Sequence, residues 1–463
     1  DSVKEKAMLK LKEVKAKSED SGSKARSYLE GLIKIPFGIF KKEPVLKYVN
    51  NINTIFSNIL SKTNYDNICE KQNYSIIEIN KYINYINKEY ITNNINSNKE
   101  NIISLFKKMK KNDLLKGIQF INQLKKKYKL KKKIIHSGKK KDIIINNLEE
   151  FLHKCVNLEL FTDLFEKYSN ICKQIDTKDL NKNVLSIENN KKNLNNDIEI
   201  IRNTLDKSVH GHKEAKRQVE RIIGQWISGE QQGYCFGFEG PPGVGKTSLA
   251  RKGLSDCLKD ENGVSRPFAF IALGGSSNGS TLSGHSYTYV GSTWGRIVDI
   301  LIEKKCMNPI IFIDELDKVS RTEQGKEIIG ILTHLVDTTQ NESFEDKYFS
   351  GVELNLSKAL FIFSYNDPSL IDKILLDRIH RIKFSHLKLS EKIEIIKNYI
   401  IPEINEKLGM KDIVVLSEDI MKFIINYFTY EPGVRKLKQI LFEIYSEINL
   451  DILNDKITEI PIV

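Results

Sequence analysis

Residues 234–248 read YCFGFEGPPGVGKTS. The apolar run from Tyr234 predicts a buried strand. It passes directly into Gly240-Pro241-Pro242-Gly243-Val244-Gly245-Lys246-Thr247, which fits the phosphate-loop pattern GxxxxGK[ST]. Thr247 and Ser248 open a helical pattern, TSLARKGLSDCL. A loop poor in side chains lets successive N–H groups curl around phosphate oxygens, and the helix N-terminus adds the positive end of its dipole. In this arrangement Lys246 neutralises the β- and γ-phosphates of ATP, and the Thr247 hydroxyl ligates Mg²⁺. A chance glycine turn would lack the strand before it and the helix after it.

A second stretch completes the chemistry. Ile310-Ile311-Phe312-Ile313 predicts a central strand, and Asp314-Glu315 follows at its carboxyl end. Asp314 is suited to hold Mg²⁺ through water, and Glu315 to polarise the attacking water as general base. Phosphoryl transfer also needs an oriented nucleophile and a counter-charge. Asn366, after the apolar run FIFSY, is placed to orient the water. Arg378 in LLDRIHRI and Arg435 in EPGVRKL are candidate phosphate contacts, from the same subunit or a neighbour.

Further out, RPFAFIALGG (266–275) and KALFIFSYND (358–367) are nearly continuous apolar runs ending in glycine or acid. With the first two they predict parallel strands covered on both faces, an α/β fold. Residues 387–463 return to helical spacing, with one short strand expected at Ile413-Val414-Val415-Leu416. Residues 1–35 read as helix, closed by Pro36.

Residues 45–200 differ in texture. No proline lies between Pro44 and Pro241, and Asn51–Glu100 holds 13 Asn and 11 Ile. Apolar spacing without breakers predicts helices, an inserted helical domain or coiled-coil arm. The chain of 463 residues carries 72 Lys+Arg against 60 Asp+Glu, a net +12. Lys107–Lys141 alone holds 15 lysines and one acid, net +14, so the rest nets 12 − 14 = −2. That run is a possible contact for nucleic acid, but only Tyr128 interleaves its core, and base stacking needs aromatic platforms. The ordinary reading is a solvated face.

Hydrophobic residues make up 40% of the chain, enough for a packed core. No apolar run approaches a membrane span. The six scattered cysteines form no CxxC pair, which argues against zinc or a disulfide framework. A soluble, intracellular protein in a reducing compartment is expected. The chain starts at Asp1 without a basic-then-apolar leader, as an excised or processed piece would.

From about Leu205 onward the chain resembles the AAA+ ATPase module of Lon-type ATP-dependent proteases. The resemblance rests on LDKSVHGHKEAKRQV, GFEGPPGVGKTSLAR, LSGHSYTYVGSTWGRIV, NPIIFIDELDKVS, LFIFSYND, LLDRIHRI and YEPGVRKL. SGHSYTYVG resembles the family's GHRRTYIG, and YEPGVRKL its REAGVR element. SKARSYLEGLIKIPFG resembles the segment before the family's ATPase module, with Phe37 for its tryptophan. The resemblance implies roles for matched residues. Asn366 is similar to sensor 1, Arg378 to the finger that completes a neighbour's site, and Arg435 to sensor 2. His210 and Gly211 match the adenine pocket, and Tyr289, Val290 and Gly291 the loop that lines a central pore.

The chain also departs from the family. Glu323-Gln324-Gly325-Lys326 stands where RGDP is usual, and LLDRIH replaces LLDRME. The family's serine–lysine peptidase domain would begin after Val463, so ATP hydrolysis without peptide cleavage is expected of these residues.

The expected organisation is a helical segment at 1–44, a helical insertion at 45–200, an AAA+ α/β nucleotide domain at 201–386 and a small helical lid at 387–463. The expected function is an ATP-dependent unfoldase and translocase, working as a homo-oligomeric, hexameric ring on protein substrates. The alternative is a nucleic-acid motor or clamp loader on the same core, using the lysine run. A nucleotide-binding scaffold without turnover is disfavoured by the complete set of catalytic residue types.

Overall fold

The computed structural model describes residues 2–16, 19–63, 71, 73–86, 92–130, 140–155, 157–170, 177–227, 235–274, 278–411, 413–454, 456 and 461–462. Two compact units emerge. One comprises Asp1–Lys47 with Asn195–Val463, the other Tyr48–Leu194.

The first unit is built on a parallel sheet. Its strands are β1 (Cys235–Glu239), β2 (Phe268–Ala272), β3 (Ile310–Asp314), β6 (Leu360–Tyr365) and β7 (His380–Lys383), in spatial order β2-β3-β6-β1-β7. A two-residue hairpin, β4 (Phe344–Glu345) and β5 (Glu353–Leu354), stands apart. The central strands β1, β3 and β6 are buried nearly end to end, as their unbroken apolar runs require. Alternate residues serve opposite faces. Ile311, Ile313, Phe361 and Phe363 share a core with Ile297 and Leu301 of helix Arg296–Lys304, and with Ile328 and Leu332 of helix Glu323–Val336. On the other face Phe238 meets Phe312 and Phe384 at centroid distances of 6.5 and 5.1 Å. Each such buried side chain contributes roughly 1.5–3 kcal/mol.

Register brings the chemistry to one edge. Glu239 pairs with Tyr365, and Ile313 with Phe363. The carboxyl ends of β1, β3 and β6 are therefore level, and ligands of open α/β sheets bind at that edge.

The N-terminal residues form two helices, α1 (Ser2–Ala16) and α2 (Glu19–Lys34). Tyr28, Leu32 and Ile35 enter the sheet's core. At the other end, helices Leu389–Ile395, Ile401–Leu408, Glu418–Phe428 and Arg435–Leu453 form a helical layer around Ile396, Ile404, Leu437 and Leu441, all at most 1% exposed. The strand expected at 413–416 is reduced to a single bridge, Val414 to Ile462. Among the described residues no further pairing extends that bridge, and a β-branched run alone does not make a strand.

The second unit is helical. Among the described residues it contains α4 (Ile76–Tyr85), α5 (Thr92–Lys108), α6 (Lys111–Lys127), α7 (Lys141–Lys154), α8 (Leu158–Lys167) and most of α3 (Pro44–Thr63). Its core of Ile52, Phe56, Ile79, Ile102, Phe106, Ile118, Leu148 and Leu160 is drawn from its own residues. Its lysines are partly spent internally: Lys107 pairs with Glu149 at 2.6 Å and Lys127 with Asp163 at 2.7 Å. Residues 131–139 of the lysine run lie outside the described residues. Among those described, no helix is long and apolar enough to cross a membrane.

Candidate nucleotide site

The phosphate loop follows β1 directly. Gly240, Gly243 and Gly245 have φ of 155°, 77° and 99°. At Gly245 the left-handed backbone turns the loop into the helix that starts at Lys246. The helix continues as a wide turn through Leu249–Leu254. Lys246 is buried, and its ammonium donates to the Gly240 carbonyl at 2.6 Å, the Tyr365 carbonyl at 3.0 Å and Asn366 Oδ1 at 2.8 Å. One side chain thus ties the loop to the end of β6. Burial pulls its pKa down, while Asp314 and Asp317 oppose the shift.

A cavity of about 560 Å³ opens above this point. Residues 242–248 line it, together with Asp314, Glu315, Asn366, His210 and Arg435. Pro241 and Gly211 stand beside these lining residues in the chain. Thr247 and Asp314 are oxygen donors on the same wall. Among the described residues no group of three or more His, Cys, Asp or Glu side chains could hold a metal. Two oxygen ligands, from Thr247 and Asp314, suit a cation that keeps water and phosphate oxygens as its other ligands, the habit of Mg²⁺.

Glu315 sits in left-handed backbone at φ 61°, ψ 40°, a conformation that costs a non-glycine residue roughly 1–3 kcal/mol. The chain turns there from β3 into the short helix Leu316–Lys318. Its carboxylate lies against Gly274, where an added Cβ would fall 1.7 Å from Oε2. In the apolar run FIALGG, glycine at 274 thus stands where a side chain would press on the Glu315 carboxylate.

The helical layer closes the site from above. Val434 N–H donates to the Gly243 carbonyl at 3.1 Å, and a Cβ on Gly433 would lie 2.4 Å from the Gly243 carbonyl carbon. This contact sets Arg435 over the loop. Gly211 is left-handed at φ 72°.

Two residues not anticipated above hold the site together. Asp317 is 6% exposed, and its Oδ2 accepts the N–H groups of Asn366 and Asp367, both at 3.3 Å. His212 bonds through Nε2 to the Val244 carbonyl at 2.9 Å, and burial pushes its pKa down. The imidazole is thus neutral at pH 7, and its N–H steadies the loop. The DELD and HGH strings carried both residues, but their partners lie 49 and 32 positions away.

The sequence profile of the "ATPase family associated with various cellular activities (AAA)" matches residues 236–387. The Lon protease homolog of Acanthamoeba polyphaga mimivirus is 38% identical over 274 residues, covering 58% of this chain and 26% of that protein. The Lon protease of Campylobacter jejuni is 32% identical over 370 residues, covering 79% of this chain and 44% of that protein. The mitochondrial Lon protease homolog of Schizosaccharomyces pombe is 34% identical over 263 residues, with 56% and 24% covered. The chain carries an AAA+ ATPase module of the Lon type. It spans between a quarter and a half of the length of these relatives.

In this Lon-type module three anticipated residues, Arg378, Tyr289 and Val290, stand away from the nucleotide cavity. Arg378 pairs with Asp337 and lines a different cavity, of about 700 Å³, with Arg321, Lys326 and His334. Tyr289 is 68% exposed and Val290 fully exposed, in a loop that follows the short helix Ser280–Ser283 and its cap Gly284. Glu323–Lys326, where the family has RGDP, forms the first turn of a helix capped by Thr322.

Proposed function

We propose that this module binds ATP·Mg²⁺ and uses its hydrolysis to pull polypeptide through a homo-oligomeric, hexameric ring, as the motor part of a Lon-like protease. What carries the reading is the convergence of Lys246, Asp314, Glu315 and Asn366 on one cavity beneath Arg435.

Lys246 exchanges its three oxygen acceptors for the β- and γ-phosphates. Mg²⁺, held by Thr247 and Asp314, supplies charge neutralisation when bound. Gly240–Ser248 supply the backbone cradle, and His210 and Gly211 the adenine pocket. Glu315 takes the proton from the attacking water, which Asn366 orients. The water's oxygen bonds to the γ-phosphorus as the bond to the β-bridging oxygen breaks. Arg435 reports nucleotide state from the helical layer. Arg378, remote from its own subunit's cavity, serves the site of a neighbour, so turnover requires assembly. The exposed Tyr289 and Val290 wedge against an extended chain, bulky side chains that grip without reading sequence.

The four described cysteines are free, which suits a reducing compartment. Ion pairing of Lys107 and Lys127 within the helical unit weighs against a nucleic-acid motor.

The test is polypeptide-stimulated ATP turnover of the assembled protein. Tyr289→Ala is expected to abolish stimulation by an unfolded polypeptide while ATP binding persists. Undiminished stimulation would refute the pulling role of the loop, and stimulation by DNA instead would favour the nucleic-acid motor.

A further inference from the structure

The exposed loop is gripped at its shoulder by the N-terminal helices. His285 N–H donates to the Thr293 carbonyl at 3.0 Å and closes the loop's base. Buried Asp346 anchors that base from below, accepting Gly295 N–H at 2.8 Å and Tyr348 N–H at 2.8 Å. Neither contact reaches the tip. Lys24 of α2 does: its ammonium donates to the Tyr289 carbonyl at 2.7 Å and stands 4.8 Å from the Tyr287 ring centroid. Lys10 of α1 sits over the other approach to Tyr287, at 4.2 Å.

Beneath these cations lies an aromatic joint. Tyr28 of α2 is 4% exposed and meets Tyr287 edge-on at 5.3 Å. Trp294, where the loop returns, stacks on Phe349 at 5.8 Å. A Cβ on Gly31 would lie 2.6 Å from Trp294, so α2 presses directly on the returning strand of the loop. Aromatic pairs at these separations and cations over ring faces each add to simple burial. None of Lys10, Lys24, Tyr28 and Gly31 lines the nucleotide cavity described above.

We propose that the α1–α2 pair is a buttress for the 285–293 loop, in which Lys24, Lys10 and Tyr28 are positioning residues that fix the presentation of Tyr289 and Val290. This rests on the reading of the loop as a polypeptide grip and extends it. The load on the tip passes through the Tyr289 carbonyl to α2, and the N-terminal segment thereby sets how stiffly the grip is held.

Hydrogen–deuterium exchange of the full chain, without polypeptide, tests the buttress. Peptides covering 285–295 report on the loop, and those covering 235–239 and 310–314 control for the fold. Lys24→Met is expected to speed loop exchange about tenfold, equivalent to about 1.4 kcal/mol. The strand peptides stay unchanged, and Lys24→Arg, which keeps a cationic donor, restores the wild-type rate. Unchanged loop exchange in Lys24→Met overturns the proposal, as does an arginine variant as fast as the methionine one. Should Lys24→Met also loosen the strands, Lys10→Met decides by the same criterion. A negative result removes the buttress and leaves the grip reading standing. Polypeptide stimulation that survives Tyr289→Ala removes the grip reading and leaves the exchange result standing.

Discussion

Asp317 shows how one buried carboxylate can govern a distant amide. Its Oδ2 holds the two backbone N–H groups at the end of β6, and its Oδ1 is buried with no hydrogen-bond partner among the described residues. A desolvated charge strengthens the bonds it does make. Without it, the Asn366 amide loses its fixed backbone and Lys246 loses a stabilising neighbour. Asp317→Ala is expected to slow ATP turnover at least about tenfold, or about 1.4 kcal/mol in the barrier. Equilibrium binding of a fluorescent ATP analogue should change far less. An equal loss in both would mean that Asp317 shapes the binding pocket and not the reacting geometry. At this scale the sequence was most legible where function needs a string of adjacent residues. Gly240–Thr247 and Asp314-Glu315 could be named from pattern because each string carries its own chemistry. Asp317, His212 and Lys24 could not, because each acts on a partner far along the chain that only the fold supplies.

Among the elements, the turn Glu431–Arg435 has a role out of proportion to its length. It brings Gly433 onto Gly243 with no room for a side chain, and Val434 donates into the phosphate loop. The Glu431 carboxylate also accepts Leu437 N–H at 2.9 Å, which fixes the turn to the following helix. Gly433→Ala would push the helical layer off the loop, since the clash is with backbone. ATP affinity is expected to fall about tenfold or more, with helical content by circular dichroism unchanged. Unaltered affinity would show that the layer tolerates displacement. Strand prediction succeeded where burial on both faces demanded continuous apolar runs, as in β1, β3 and β6. It missed β7, where only Ile382 of four residues is buried, because an edge strand needs little apolar character. It also missed the two-residue hairpin β4–β5, too short to show any period. The run at 413–416 misled for the opposite reason: its composition suits a strand, but among the described residues it makes one bridge.

At the scale of the whole molecule, Tyr48–Leu194 is a unit with its own core. The absence of breakers made its helices readable, but not their packing, because the asparagine-rich spacing fits a bundle and an arm equally well. Expressed alone, these residues are expected to give a helical spectrum and one cooperative thermal transition. A gradual loss of helix would contradict an independent core. The account as a whole stands on the loop after β1 and the acids after β3 enclosing one triphosphate. The most direct measurement pairs ATP binding with ATP turnover in Glu315→Gln. The variant should bind ATP saturably, with near wild-type affinity, while turnover falls by about a hundredfold or more, the usual loss when a general base is removed. Hydrolysis at the wild-type rate, or no saturable uptake by the wild-type protein, would contradict it.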